Sequence, residues 1–278
     1  MRKNGHAAPV VKWAGGKRQI LDEIIKHVPD DFTAYYEPFV GGGAVWFRLC
    51  PQKAAVNDVN AELVNIYRVI RDHVDQLVSD LKKHENNKEY FYKIRQIDRD
   101  SKAYSKLTPV EKASRTIYLN KTCYNGLFRV NQAGEFNTPF GNYKNPNIVN
   151  EPVLRAVSEY LNNADIEFTC VDFELALKNI KKGSFAYLDP PYDPVSITAN
   201  FTGYDKGGFG KSEQIRLKSV CDQLNEKGIR FLLSNSATPF ILELYKDYII
   251  EIVQAKRIIN SNSKKRGEID EVLIKNYS

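Results

Sequence analysis

The strongest constraint on how this chain folds is a strand, glycine-rich turn, helix, strand and acid met in that order near its start. Residues 34–39 read as a short strand that ends at Gly41-Gly42-Gly43. Residues 44–49 take up helical spacing and Pro51 stops them; residues 54–56 form a second strand ending at Asn57-Asp58. That order is half of a doubly wound nucleotide-binding sheet, whose ligands lie at the carboxyl ends of the strands. The glycines allow close approach of a ligand, and the helix behind them offers unpaired N–H groups. A nicotinamide fingerprint would need glycine at position 46, where Trp46 stands. Taken alone, the glycines also fit an ordinary flexible turn. Phe39 at the first strand end, and Asp58 where an acid would meet ribose hydroxyls, favour a nucleoside-containing ligand without a pyrophosphate.

The remaining pattern continues the α/β alternation around an insert. Residue 17–27 spacing predicts a first helix, closed by Pro29. Residues 61–104 are helical in period, and Pro109 opens a further helix to 119. A polar stretch at 121–150 carries the turn signals Asn125-Gly126 and Gly134, which predict a β-hairpin from 128–131 and 135–138. Helices at 153–161, 173–180 and 212–226 then alternate with strands at 166–171, 185–188 and 229–234, and two final strands fall at 249–254 and 271–276. The fold expected is α/β: a Rossmann-like sheet built from residues 1–65 and 151–278, interrupted by a helical and hairpin domain at 66–150.

Charge separates the insert from the rest. The chain carries a net charge of +6, yet residues 81–130 hold 12 Lys/Arg against 5 Asp/Glu. Aromatic residues are interleaved there, the footprint expected of a nucleic-acid surface; a solvated helical face over core aromatics is the competing reading. Residues 256–266 hold five basic residues and no acid, which predicts a backbone-contacting loop, or else a plain surface loop. Four dispersed cysteines form no C-x-x-C pair, so neither zinc nor a disulfide framework is expected and a reducing, cytoplasmic compartment fits best. No apolar stretch approaches the ~20 residues of a membrane span.

Asp189-Pro190-Pro191-Tyr192 follows the buried run 185–188. Two prolines fix φ and remove two donors, leaving a carboxylate, carbonyls and a ring on one rigid loop. Such a loop suits a planar, amino-bearing base, and with the glycine turn it points to transfer of a methyl group from S-adenosylmethionine (AdoMet) to an amino group. Lys12-Trp13-Ala14-Gly15-Gly16-Lys17 lacks the spacing of a phosphate loop, and Arg18 stands where Ser or Thr would follow the lysine. Lys17 beside glycines can meet a cofactor carboxylate and Trp13 can pack on the cofactor; an ordinary turn before a helix is the alternative.

Lys-Trp-Ala-Gly-Gly-Lys, Glu-Pro-Phe-Val-Gly-Gly-Gly, Asn-Asp-Val-Asn and Asp-Pro-Pro-Tyr occur in that order, with the insert before the last. From Lys12 to the terminal strand the chain resembles the α group of amino-methyltransferases and, within it, the DNA adenine methylase (Dam) family. The segment from Tyr124 through Gly141 resembles that family's DNA-reading hairpin. The resemblance implies AdoMet as cofactor, double-stranded DNA as partner, no metal, no obligate protein partner, and adenine-N6 methylation, usually in GATC. It implies that Asp189 and the Pro190 carbonyl accept the hydrogens of the target amino group and that Tyr192 stacks on the flipped base. Trp13, Lys17, Phe39, Gly41, Gly43, Asp58, Asp172 and Asp189 would surround AdoMet. Tyr124 would wedge into the duplex and Asn125 would help part its strands. Leu127, Arg129, Pro139 and Tyr143 would read the site, and Lys12 an outer base pair. Asn142 departs from the pattern, since relatives often carry arginine there, which bears on affinity for the backbone.

Among other chemistries, cytosine-C5 methylation needs a nucleophilic cysteine after proline, and no cysteine here follows one. Cytosine-N4 methylation shares the amino-acceptor logic. Adenine-N6 methylation of RNA is the nearest rival, against which a duplex-wedging hairpin argues. A DNA-binding regulator without catalysis is disfavoured by the intact Asp189, Pro190 and Tyr192. A role beside a restriction enzyme and a solitary role in replication, repair or regulation fit the sequence equally.

Overall fold

The computed structural model describes residues 7–17, 19–195, 208–256 and 268–278. Along the chain the elements are α1 (Leu21–Lys26), β1 (Tyr35–Glu37), α2 (Ala44–Leu49), β2 (Lys53–Asn57), α3 (Ala61–Asp72), α4 (Val74–Leu81), α5 (Lys88–Gln96) and α6 (Ser101–Ser105). They continue with α7 (Pro109–Thr122), α8 (Glu151–Asn163), β3 (Asp165–Thr169), α9 (Phe173–Leu177), β4 (Phe185–Leu188) and α10 (Lys211–Glu226). The last are β5 (Arg230–Ser236), α11 (Pro239–Leu244), β6 (Ile249–Lys256) and β7 (Glu268–Lys275). Two compact units result: Met1–Gly16, Gly41–Gln52 and Asp58–Cys170 form one; Lys17–Val40, Lys53–Asn57 and Val171–Ser278 form the other.

The second unit is the Rossmann-like body. Its strands lie in the order β2-β1-β4-β5-β7-β6, with the first four parallel and β7 antiparallel to both neighbours. All four residues of β4 are buried, as a central parallel strand covered on both faces requires. Leu188, Leu217, Phe231, Leu233 and Ile274 sit in its core. β1 and β4 are neighbours, but the chain leaves β1 toward β2 and leaves β4 toward β5. Their carboxyl ends therefore flank the crevice at which such sheets bind ligands. Residues 38–40 emerge from one end and Asp189-Pro190-Pro191-Tyr192 from the other.

The first unit is mostly helical. Thr108 and Glu111 form a reciprocal capping box that starts α7, with Pro109 in the first turn. Phe91, Tyr118, Leu119, Phe128 and Phe136 make one core cluster, and buried Trp46 donates through Nε1 to the Tyr160 hydroxyl at 2.9 Å. The expected hairpin exists as two isolated antiparallel bridges, Val130 with Phe136 and Cys123 with Phe140, and not as full strands. Asn131 Oδ1 accepts from the Ala133 and Glu135 amides and tightens the turn. Asn125-Gly126, expected as a turn, lies in a 3-10 turn at Tyr124–Gly126, with Asn125 at φ 57°.

Other boundaries differ for local reasons. The first helix starts at Leu21, four residues later than its periodicity suggests, and Lys17 lies before it, paired with Asp189. The helical stretch 61–104 divides into four helices and a 3-10 turn. Part of the insert's positive charge is structural: Arg115 is buried, 2.8 Å from Asp98, and donates to the Ile94 and Arg95 carbonyls. The basic stretch at residues 257–266 lies outside the described residues. Among the described residues no helix is long and apolar enough to cross a membrane.

Candidate active site

At the end of β4, Asp189 is held from two sides. Lys17 Nζ lies 2.8 Å from its Oδ1, and Ser234 Oγ, on β5, donates to that same oxygen at 2.8 Å. The Tyr187 and Ser234 hydroxyls are 3.0 Å apart, so the serine is itself anchored. Both contacts fall on Oδ1; among the described residues no hydrogen-bond donor sits on Oδ2. Burial pushes the Asp189 carboxyl up from its ordinary value, and Lys17 and Ser234 pull it back. A carboxylate with one oxygen fixed and the other open is an oriented acceptor.

The prolines behave less symmetrically than their sequence suggests. Pro191's carbonyl accepts from Gln214 Nε2 at 2.9 Å, whereas Pro190's accepts no hydrogen bond among the described residues. Tyr192 donates its phenol to Glu271 Oε2 at 2.7 Å, and the Lys17 ammonium lies 4.4 Å from the centre of its ring. Burial raises both the Tyr192 and the Glu271 pKa. The loop leaves the motif through Asp193, whose amide donates to Asn235 Oδ1 and whose carboxylate accepts from Thr238 Oγ1 at 2.6 Å.

Phe39 is half-buried and packs on Phe173, with ring centres 5.3 Å apart. Asp172 caps α9 through the Glu174 amide and meets Arg216 at 2.6 and 3.3 Å, so that carboxylate is turned toward a guanidinium. Asn57 bonds the carbonyls of Pro38 and Val171 through Nδ2 and the Val171 amide through Oδ1, which ties the ends of β1 and β2 to the start of α9.

The other expected residues lie in the helical unit. Asp58 accepts from the Gly41 amide at 3.0 Å and from the Asn60 amide at 2.9 Å, one on each oxygen. Gly43 caps α2 at φ 70°, and Gly41 stands at φ 48°. A Cβ on Gly41 would be strained at that φ and would approach Trp13 Cδ1 to 3.1 Å, so the tryptophan would have to shift. Trp13 stacks on Phe128 at 4.6 Å. Trp13, Trp46 and Phe47 pack closely against the glycines, and Asp58 holds the Gly41 amide; an acid and a tryptophan beside a glycine turn are residue types that could meet a nucleoside with no pyrophosphate.

Lys12 presents an exposed side chain while its backbone is clamped by buried Asn120, which accepts from the Lys12 amide at 2.9 Å and donates to the Lys12 and Gly126 carbonyls. Tyr124, Leu127 and Tyr143 stand exposed; Tyr124 shows 58% of its surface. Arg129 Nε donates to Asn137 Oδ1 at 2.7 Å, and the Pro139 carbonyl accepts from the Tyr124 amide. Ser234, Glu271, Gln214 and Asn120 were not singled out in the sequence. None belongs to a short motif, and each has a partner far along the chain: 45 residues away for Ser234 with Asp189, 79 for Glu271 with Tyr192, 23 for Gln214 with Pro191 and 108 for Asn120 with Lys12.

Fold and loop together define the class, an α/β enzyme of the Rossmann-like methyltransferase type. A family model described as D12 class N6 adenine-specific DNA methyltransferase matches residues 13–259. The chain is 45% identical over 271 residues to the type II methyltransferase M1.LlaDCHI of Lactococcus lactis subsp. cremoris, covering 97% of this chain and 95% of that one. It is 41% identical to the type II methyltransferase M.MjaIII of Methanocaldococcus jannaschii, covering 97% and 99%. It is 35% identical to a DNA adenine methylase of Serratia marcescens, covering 98% of each. The chain belongs to the D12 class of N6 adenine-specific DNA methyltransferases, which use AdoMet as methyl donor.

Proposed function

We propose that this enzyme methylates N6 of the adenine in duplex GATC, with Asp189, Pro190 and Tyr192 as its catalytic residues. The observation that carries the reading is the asymmetry at Asp189: Lys17 and Ser234 both bind Oδ1, and among the described residues no donor sits on Oδ2. An exocyclic adenine nitrogen is a weak nucleophile because its lone pair is delocalised into the ring. Two acceptors on its hydrogens draw it toward tetrahedral geometry and direct the lone pair. AdoMet, when bound, supplies an electrophilic methyl on a sulfonium sulfur. Methyl transfer would release the donor as its neutral thioether, and the surplus N6 proton would pass to the Asp189 carboxylate, its acceptor in this reading, and on to solvent. The protein contributes position and charge stabilisation.

Trp13, Phe39, Gly41, Gly43, Asp58 and Asp172 surround the donor in this reading. Lys17 holds Asp189 in addition to facing the donor. The base leaves the stack to be reached, at a cost of ~a few kcal/mol. Tyr124, exposed on its 3-10 turn, would fill the gap in this reading, with Asn125 beside it in the turn. Residues 66–150 form the recognition segment: Arg129 reads guanine, Leu127, Pro139 and Tyr143 read neighbouring positions, and Lys12 an outer pair. Four free thiols fit a reducing, cytoplasmic compartment.

The test is transfer from labelled AdoMet to duplex oligonucleotides holding GATC, with single-base variants and an RNA duplex beside them. Label confined to the adenine of GATC is the expected result. Label at another DNA sequence overturns the assignment of the reading residues; label on RNA overturns the choice of substrate.

A further inference from the structure

Glu271 belongs to no motif, yet it holds the phenol of the Asp-Pro-Pro-Tyr loop. It lies on β7, where it faces Ser236 of β5 and Val253 of β6. A residue in the middle of a sheet, paired on both sides, has little freedom to move. Its Oε2 accepts from the Tyr192 hydroxyl at 2.7 Å, the length of a strong hydrogen bond to a carboxylate. Both residues are half-buried, and burial raises the pKa of both groups. Partial burial of a carboxylate has a cost, and a glutamine of the same shape would accept the phenol hydrogen with less of it. The charge itself therefore calls for an explanation.

The ring that Glu271 holds is the one with the Lys17 ammonium 4.4 Å from its centre. That lysine in turn fixes Asp189. The Tyr192 ring is thus fastened at its hydroxyl by an anion and on its face by a cation. Electron density pushed into a ring by a carboxylate on its phenol strengthens attraction for positive charge at its face.

We infer that Glu271 is a positioning residue for methyl transfer: through the Tyr192 phenol it fixes the angle of the ring on which the target base stacks and keeps that ring electron-rich while positive charge develops at N6. The inference rests on the reading of Tyr192 as the stacking residue. Glu271 is hydrogen-bonded to the Tyr192 hydroxyl, and its positioning effect passes through that group.

The experiment is a two-residue cycle, Glu271→Gln, Tyr192→Phe and the double variant, with Tyr192→Ala beside it. It is read by single-turnover methyl transfer and by the fluorescence of 2-aminopurine placed at the target adenine of a bound duplex. Glu271→Gln is expected to slow transfer roughly fivefold, the difference between a charged and a neutral acceptor, with the KM for AdoMet unchanged. It also brightens the 2-aminopurine, because a loosened ring quenches less. In the Tyr192→Phe background, Glu271→Gln is expected to change neither readout. Equal slowing by Glu271→Gln in both backgrounds would overturn the inference and leave Tyr192's role standing. A Tyr192→Ala enzyme with the wild-type rate and fluorescence would overturn the stacking role, and the inference with it.

Discussion

Lys17 Nζ lies 2.8 Å from Asp189 Oδ1, so that the basic end of the first motif is spent on the acid of the last. The lysine is 6% exposed. It opposes the burial that lifts the Asp189 pKa. Lys17→Met removes that opposition, and the carboxyl rises further. Asp189 then loses its proton only at higher pH, and the acid limb of the pH–rate profile of single-turnover transfer moves upward. The variant is expected to be slow near neutrality and to recover in part as pH rises, whereas Lys17→Arg keeps the limb near its wild-type position. An unmoved limb in Lys17→Met would separate Lys17 from the ionisation of Asp189.

His84 sits against Tyr118, with Nδ1 2.9 Å from the Tyr90 hydroxyl and Nε2 3.0 Å from Ser114 Oγ. Burial pushes its pKa down to about 4 from 6.5. The unfolded chain therefore binds a proton between these values that the folded chain refuses, and stability is lost as pH falls through that window. The loss approaches ~3 kcal/mol once pH is below the folded value. Urea unfolding at pH 7.5 and pH 5 is expected to show part of this loss in the wild type and a smaller difference in His84→Gln.

Asn120 makes three hydrogen bonds from a buried position to the backbone of Lys12 and Gly126. Asn120→Ala leaves those groups without their partner, at a cost of roughly 3 kcal/mol. Denaturant titration reads that cost. At concentrations where the variant stays folded, duplex binding is expected to weaken as well, because the segment carrying Lys12 and the turn carrying Tyr124 lose their common anchor. Unchanged binding would confine Asn120 to stability.

Arg129 is exposed, and its guanidinium is oriented by Asn137. Arg129→Ala is expected to relax discrimination at one guanine by about 1–3 kcal/mol while transfer to the cognate site persists. Comparing kcat/KM on cognate and single-base-variant duplexes checks this. A uniform loss on every duplex would make Arg129 a phosphate contact instead.

The motifs in each unit were legible in the sequence, whereas the contacts that hold them were not, for a physical reason. Asp189 to Tyr192, Gly41 to Gly43 and Asp58 lie at strand ends, where a change of period marks the boundary and an unusual residue stands out. Helix α2 falls where its periodicity and Pro51 place it. Ser234 and Glu271, by contrast, are ordinary polar residues in strands, and only the register of β5 and β7 brings them to the loop. Register across a sheet leaves no local trace in a chain. α11 was missed although Thr238 caps it and Pro239 opens its first turn, because its apolar residues show no polar face to mark a helical period. The hairpin signal at 128–138 marks a turn that Asn131 closes, but the pairing beside it is the single bridge of Val130 with Phe136 and not full strands.

The most direct test of the central claim is single-turnover transfer by Asp189→Ala, with duplex binding followed in parallel by fluorescence anisotropy. Removing the oriented acceptor is expected to lower the rate by about 10²–10³-fold, the scale of losing a preorganised polar group from an active site, while binding of the duplex is retained. A rate within a few-fold of wild type, with binding intact, would contradict the account.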